Sequence, residues 1–347
     1  MLAYRMDENR NISLEEIEKP DEKDSNIIVE VKCTSLCGTD VRTVTKGSPK
    51  TIPPRTLGHE FSGVIVHIGK SISTGLKIND KVTMAPAIGC GVCWVCESGH
   101  SNVCDNLTTI GFQEYDGSFA KYIEIPKRAV DMGYLIKLPD NVDFEEGALI
   151  EPIGCVLNAH RYVKVTPGDC VAVYGAGFIG CVHAELSFLY GASKVIMIEP
   201  SEVRGKQACE FIPGLIWVNP NEVATVERVK EITDGRGANV VITSCSVAGT
   251  HAEAQDIAAK MGRISLFGGL VGESKGFIDS NTIHYKELEV SGVHGTTPEM
   301  MAEIINKVSN KELDLKKYIT KTIDLADIEK GLHSIMHENL MKVVIIP

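Results

Sequence analysis

Short apolar runs broken by glycine, proline and aspartate fill residues 1 to about 150, among them "NIIVEVKC" (26–33), "FSGVIVHIG" (61–69), "KVTMAP" (81–86) and "FAKYIEIP" (119–126). Runs this short, set between turn residues, predict a β-rich, barrel-like unit. From about 170 the rhythm changes. "CVAVYG" (170–175), "KVIMIE" (194–199), "ANVVITSC" (238–245) and "RISLFGG" (263–269) are apolar and β-branched, as buried parallel strands require. Helical stretches such as "FIGCVHAELSFLYG" (178–191) and "VATVERVKEITDG" (223–235) lie between them. Strand alternating with helix predicts a doubly wound α/β sheet. In the tail, "PEMMAEIINKVSN" (298–310) and "DLADIEKGLHSIMH" (324–337) read as amphipathic helices and "KVVIIP" (342–347) as a closing strand.

Composition narrows the function classes. At 347 residues the chain is long enough for two cores, and 44% hydrophobic with 23% charged residues is ordinary for a soluble globular protein. The amino terminus "MLAYRMDENRN" has no apolar run of signal-peptide length, and no stretch is long enough to span a membrane. The expectation is a cytoplasmic protein without a membrane partner. A net charge of -11 disfavours nucleic acid, because phosphate contacts need a basic face. Eleven cysteines, an odd number in a reducing compartment, argue against a disulfide framework.

Four of those cysteines crowd into "GCGVCWVCESGHSNVC" (89–104), at Cys90, Cys93, Cys96 and Cys104. Thiolates two intervening residues apart can turn toward one zinc, and a second pair completes a tetrahedron. A shell of four thiolates leaves no open position, so this zinc would hold a loop in shape. Chemistry must be sought elsewhere. "VAVYGAGFIG" carries Gly175, Gly177 and Gly180 at G-x-G-x-x-G spacing, between an expected strand and an expected helix. That context fits a dinucleotide cradle, with the helix start at Phe178, Ile179 and Gly180 offering N–H groups to a pyrophosphate. Glu199, at the end of the next strand, stands where a carboxylate would bind ribose hydroxyls and repel a 2′-phosphate. NAD is therefore favoured over NADP. Arg204 nearby would flank the adenine or, in the opposite case, accommodate a phosphate.

A second set of ligand types is dispersed: Cys37 in "CGTD", His59 and Glu60 in "GHE", and Glu151 in "EPIG". Singly, each has a bland reading as core cysteine or satisfied polar group. Together they offer sulfur, nitrogen and oxygen to zinc, and three protein ligands leave one position open.

These motifs, with "GHEFSGVIVHIGKSI" (58–72) and "ITKTIDLADIEKGLHSIM" (319–336), run in unbroken order along essentially the whole chain. In this the chain resembles the zinc-containing medium-chain dehydrogenase/reductase superfamily, in its polyol and threonine dehydrogenase branch. The resemblance implies an α/β protein. Residues 1–153 would form a chaperonin-10-like β-barrel catalytic domain with both zinc sites, 154–293 an NAD-binding Rossmann domain, and 294–347 a return segment completing the catalytic domain. It also implies two zincs and NAD, a catalytic zinc in the cleft between domains, and assembly as a dimer or tetramer.

Carried over residue by residue, Cys37, His59 and Glu60 become catalytic zinc ligands. Glu151 falls where alcohol dehydrogenases place a third thiolate, and binds the metal directly or through water; Cys155 is the rival ligand. Thr39 matches the hydroxyl that receives the substrate proton. Arg42 stands where many relatives have a histidine relay, and a guanidinium cannot shuttle protons near neutrality. The exit then runs through Glu151 and water or through the cofactor ribose. The implied activity is zinc-dependent hydride transfer to NAD from a secondary alcohol of a polyol, cyclitol or sugar alcohol, phosphorylated or not. L-threonine 3-dehydrogenase is the nearest alternative. A non-catalytic zinc- and nucleotide-binding scaffold would have no need of the second ligand set.

Overall fold

The computed structural model describes residues 1–270 and 274–347, in two compact units, Met1–Gly154 with Gly295–Pro347, and Cys155–His294. Strand Asn26–Ser35 is the spine of the first unit. One edge pairs antiparallel with Phe61–Ile68, and the other with Tyr122–Pro126 and then with Lys342–Ile346. Lys81–Met84 and Leu135–Lys137 extend this sheet on one side and Ile319–Asp324 on the other. Consecutive residues Ile27, Ile28 and Val29 are all fully buried, so both faces of the spine are covered, as in a closed β structure.

Two helices here have no clear apolar signature. Gly38–Lys46, "GTDVRTVTK", buries only Asp40 and Thr43. Phe144–Val163 runs for 20 residues through the boundary at which the sequence reading ended its β-rich stretch. Pro152 lies inside it, which removes one backbone donor that a helix interior normally uses.

The last strand, Lys342–Ile346, is flanked on both sides, parallel to Ile319–Asp324 and antiparallel to Asn26–Ser35. The helix expected over 324–337 starts later, at Ile328, after a 3₁₀ turn at Leu325–Asp327. Its inward residues Ile328 and Leu332 pack with Tyr4, Leu36, Leu57 and Val343.

The second unit is a six-stranded parallel sheet in the spatial order Ile216–Val218, Lys194–Ile198, Cys170–Tyr174, Ala238–Thr243, Ala258–Leu266, Glu289–Gly292. Numbered along the chain this is 3-2-1-4-5-6, the doubly wound order whose switch point lies beside the first strand. The fifth strand begins before the expected residue 263, its early register interrupted next to Met261, whose φ is 60°. Among the described residues, no helix is long and apolar enough to cross a membrane.

Candidate metal centres and nucleotide cradle

Cys37, His59 and Glu60 come together, each offering one ligand atom within 4.8 Å of the others. Local structure explains each position. Cys37 caps helix Gly38–Lys46: its sulfur accepts from Thr39 N at 3.4 Å while Asp40 Oδ2 accepts from Cys37 N at 3.0 Å. The "CGTD" stretch is thus a reciprocal cap, and a helix start favours a thiolate. Asp40 has a second task, with Oδ1 3.4 Å from His59 Nδ1. The contact is an ion pair rather than a hydrogen bond, since His59 Nδ1 has no hydrogen-bond partner among the described residues. Burial pulls the His59 pKa down, but Asp40 and then Cys37 outweigh it and hold it well above its usual value.

Glu60 is 1% exposed. Its Oε2 accepts from Ser35 Oγ and from Lys342 Nζ, the latter at 2.5 Å. Lys342 also donates to Leu36 O at 2.9 Å. Burial lowers the pKa of Lys342, yet Glu60, Cys37 and Glu151 raise it overall. Glu60 Oε1 is buried without a hydrogen-bond partner among the described residues. An orphaned carboxylate oxygen beside a thiol and an imidazole fits a divalent cation with affinity for all three donor types, as zinc has.

Glu151 does not join that mutually close set. It is buried in helix Phe144–Val163, near enough to act electrostatically on Lys342. Cys155, half-buried, is likewise outside the set. Thr39 is half-buried, and its Oγ1 accepts from Arg42 Nη2 at 3.3 Å. Sequence reasoning missed Asp40 and Lys342. A carboxylate three residues after a capping position was the available signal for Asp40; Lys342, 282 residues from Glu60, left none.

The four clustered cysteines also converge, every sulfur within 4.8 Å of the rest. Cys93 Sγ lies 3.5 Å from Cys96 Sγ and 3.7 Å from Cys104 Sγ, and none of the eleven cysteines is in a disulfide. Four sulfurs about 2.3 Å from one zinc stand roughly 3.8 Å apart, so the spacing fits a tetrahedral thiolate shell. Backbone N–H groups of Cys90 and Asn106 point at Cys104 Sγ from 3.2 and 3.3 Å. The Val92 N–H, ahead of smaller effects, draws the Cys90 thiol down to about 6.

At the sheet's switch point, Gly175 has φ 97°, a left-handed conformation that suits glycine. A Cβ on Gly180 would lie 1.8 Å from Gly175 O, so the helix sits on its turn only without a side chain there. Gly177, capping helix Phe178–Leu189, is different: a Cβ there would meet nothing within 4 Å. Among the described residues no atom beyond its chain neighbours demands that glycine, whereas a dinucleotide laid against the helix start would. Phe178 is buried and Ile179 half-buried at that start. Glu199 stands just past strand Lys194–Ile198 and is 7% exposed. Its Oε2 accepts from Ala176 N at 2.8 Å and its Oε1 from Ser201 N at 2.9 Å, which ties it to the glycine turn. Each oxygen keeps a second lone pair for a ribose hydroxyl. Arg204 lies in helix Glu202–Phe211, its backbone N–H donating to Ser201 Oγ.

Comparison with known proteins identifies the chain's relatives. The alcohol dehydrogenase GroES-like domain model matches residues 23–140, and the zinc-binding dehydrogenase model matches 179–310. Sorbitol dehydrogenase from Halalkalibacterium halodurans is 30% identical over 340 residues, 97% of this chain and 96% of the relative. A Sinorhizobium meliloti 1021 structure, described as a zinc-binding dehydrogenase bound to NADP, superposes with a TM-score of 0.91 at 28% identity, covering 100% and 99% of the two chains. For 2R,3R-butanediol dehydrogenase from Bacillus subtilis the TM-score is 0.89 at 27% identity, with coverage of 100% and 99%.

Proposed function

The chain belongs to the zinc-binding alcohol dehydrogenase family with a GroES-like domain, and on that premise we propose that it oxidises a secondary alcohol of a polyol with NAD as hydride acceptor. The observation that carries this reading is the buried, unpartnered Glu60 Oε1 beside Cys37 and His59. Three ligands of these types leave one coordination position for an alcohol oxygen, while the cysteine lobe has four thiolates and none to spare. Bound in the first set, zinc supplies a Lewis acid that makes the alcohol more acidic, and NAD supplies the hydride acceptor.

The chain's own residues do the rest. Asp40 pairs with His59, and Lys342 neutralises one oxygen of Glu60. Thr39 is the group that takes the alcohol proton. Because its oxygen accepts from Arg42, its own hydrogen is directed to another acceptor. Arg42 stays charged, so onward transfer falls to Glu151 with water or to the cofactor ribose. Glu199 supports NAD, since a 2′-phosphate would meet a carboxylate already fixed in the turn. The relative named sorbitol dehydrogenase and the neighbour named butanediol dehydrogenase both support a vicinal polyol substrate.

The test is an NAD-reduction screen over sorbitol, xylitol, galactitol 1-phosphate, inositols, 2,3-butanediol and L-threonine, with wild type and Cys37→Ser. Turnover of a polyol is expected, lost in the variant while NADH still binds. Turnover of L-threonine alone moves the protein to the threonine dehydrogenase reading. Unchanged turnover in Cys37→Ser overturns the ligand assignment.

A further inference from the structure

Helix Ile328–His337 carries a feature that neither its packing nor the proposed reaction uses. Its inward face is Ile328, Leu332 and the small residues Gly331 and Ser334, all buried. His333 and His337 lie four residues apart on the exposed side, so one stands above the other on a single helix face. Their ring centroids are 4.4 Å apart with planes inclined by 42°. Neither imidazole is hydrogen-bonded to another described residue, so its nitrogens are available to a ligand from solvent.

We propose that His333 and His337 form a bidentate surface site for a late first-row divalent transition metal ion, separate from the two cysteine-containing centres. Two nitrogens bound to one ion at about 2.0–2.1 Å stand roughly 3 Å apart. Rings whose centroids stand 4.4 Å apart on one helix face are spaced for such a pair. Two further features favour a cation here. His337 is the last residue of the helix, where the backbone carbonyls leave a partial negative charge. Glu329 stands one turn before His333 and is exposed, and Glu338, the residue after His337, acts electrostatically on His333 while paired with Lys321 at 3.5 Å. The chain as a whole, at -11, attracts cations.

The donor chemistry selects the metal class. Imidazole suits nickel, copper and zinc, whereas magnesium and calcium demand oxygen ligands. Waters would complete the shell, so the site binds reversibly and more weakly than the four-thiolate lobe.

The experiment titrates untagged, zinc-replete protein with NiCl₂ by calorimetry, in parallel with retention on a Ni²⁺-charged column. One Ni²⁺ per chain is expected beyond the resident zinc, unaffected by excess Mg²⁺. His333→Ala and His337→Ala should each abolish that binding event, and Glu329→Gln should weaken it, with zinc content and thermal melt unchanged in all three. The melt and zinc content separate loss of the site from loss of fold. The proposal falls if wild type takes up no additional Ni²⁺, if the His333→Ala/His337→Ala double variant binds like wild type, or if Mg²⁺ displaces the ion. None of these outcomes bears on alcohol oxidation.

Discussion

Replacing Lys342 with methionine isolates the charge balance of the candidate catalytic set. In the protein Lys342 Nζ sits 2.5 Å from Glu60 Oε2, with side chains 5% and 1% exposed. At that distance and an effective dielectric of about 20, the attraction is roughly 7 kcal/mol. Desolvating each ion costs several kcal/mol, so the pair's net worth is far smaller. Removing one partner does not refund the other's desolvation, and breaking such a pair costs about 3–5 kcal/mol. Lys342→Met should therefore destabilise zinc-free protein by about that amount, less whatever Glu60 recovers by taking up a proton. Bound zinc restores a positive neighbour for Glu60, so the loss in the zinc-replete protein should be clearly smaller. The assay is a pair of urea titrations, wild type against variant, with and without a zinc chelator. A change below about 1 kcal/mol in the chelated protein, or equal losses in both states, would refute the reasoning.

Four further outcomes follow from particular residues. Gly177→Ala should leave the melting temperature unchanged but weaken NADH binding roughly tenfold or more, by fluorescence titration, whereas Gly180→Ala should destabilise the fold by about 1–3 kcal/mol through the collision with Gly175 O. His160, buried and stacked on His183 at 5.3 Å, has its pKa pushed down to about 4 by burial. Its unfolded form takes a proton near 6.5 and the folded form does not, so stability is full above that pH and falls by about 3 kcal/mol as pH drops toward 4. His160→Leu should make that decline shallower in melts between pH 7 and 4.5 without abolishing it, because burial also holds His183 well below its usual value; an unaltered slope would assign it elsewhere. Cys96→Ser should lower zinc from two to one per chain by elemental analysis, leaving the Cys37 set loaded.

Much of this was legible in the chain because the signals are local. The four cysteines fall within 16 residues, and the glycine turn lies between an apolar strand and a helix that follow it directly. The strands of the second unit are nearly continuous apolar runs, as double-sided burial demands. Helix Phe144–Val163 was not legible, since a proline interrupts it and its apolar residues are not confined to one face. Helix Gly38–Lys46 has the opposite difficulty: it is polar, and what defines it is the cap made by Cys37 and Asp40. Glu199 could be placed at its strand end, but not its two backbone hydrogen bonds, which depend on how the turn folds back. Lys342 looked like the first residue of a strand and no more, because its partner is supplied by pairing between distant segments.

That pairing also makes the candidate centre depend on the far end of the chain. Cys37, His59 and Glu60 are all translated early, yet the ammonium that offsets Glu60 arrives 282 residues after it. A truncated polypeptide ending before Lys342 would contain all three candidate ligands and still lack the ammonium that offsets the buried carboxylate. The charge balance of the candidate centre therefore rests on the last strand, and a chain without it would depend on a bound cation alone to offset Glu60.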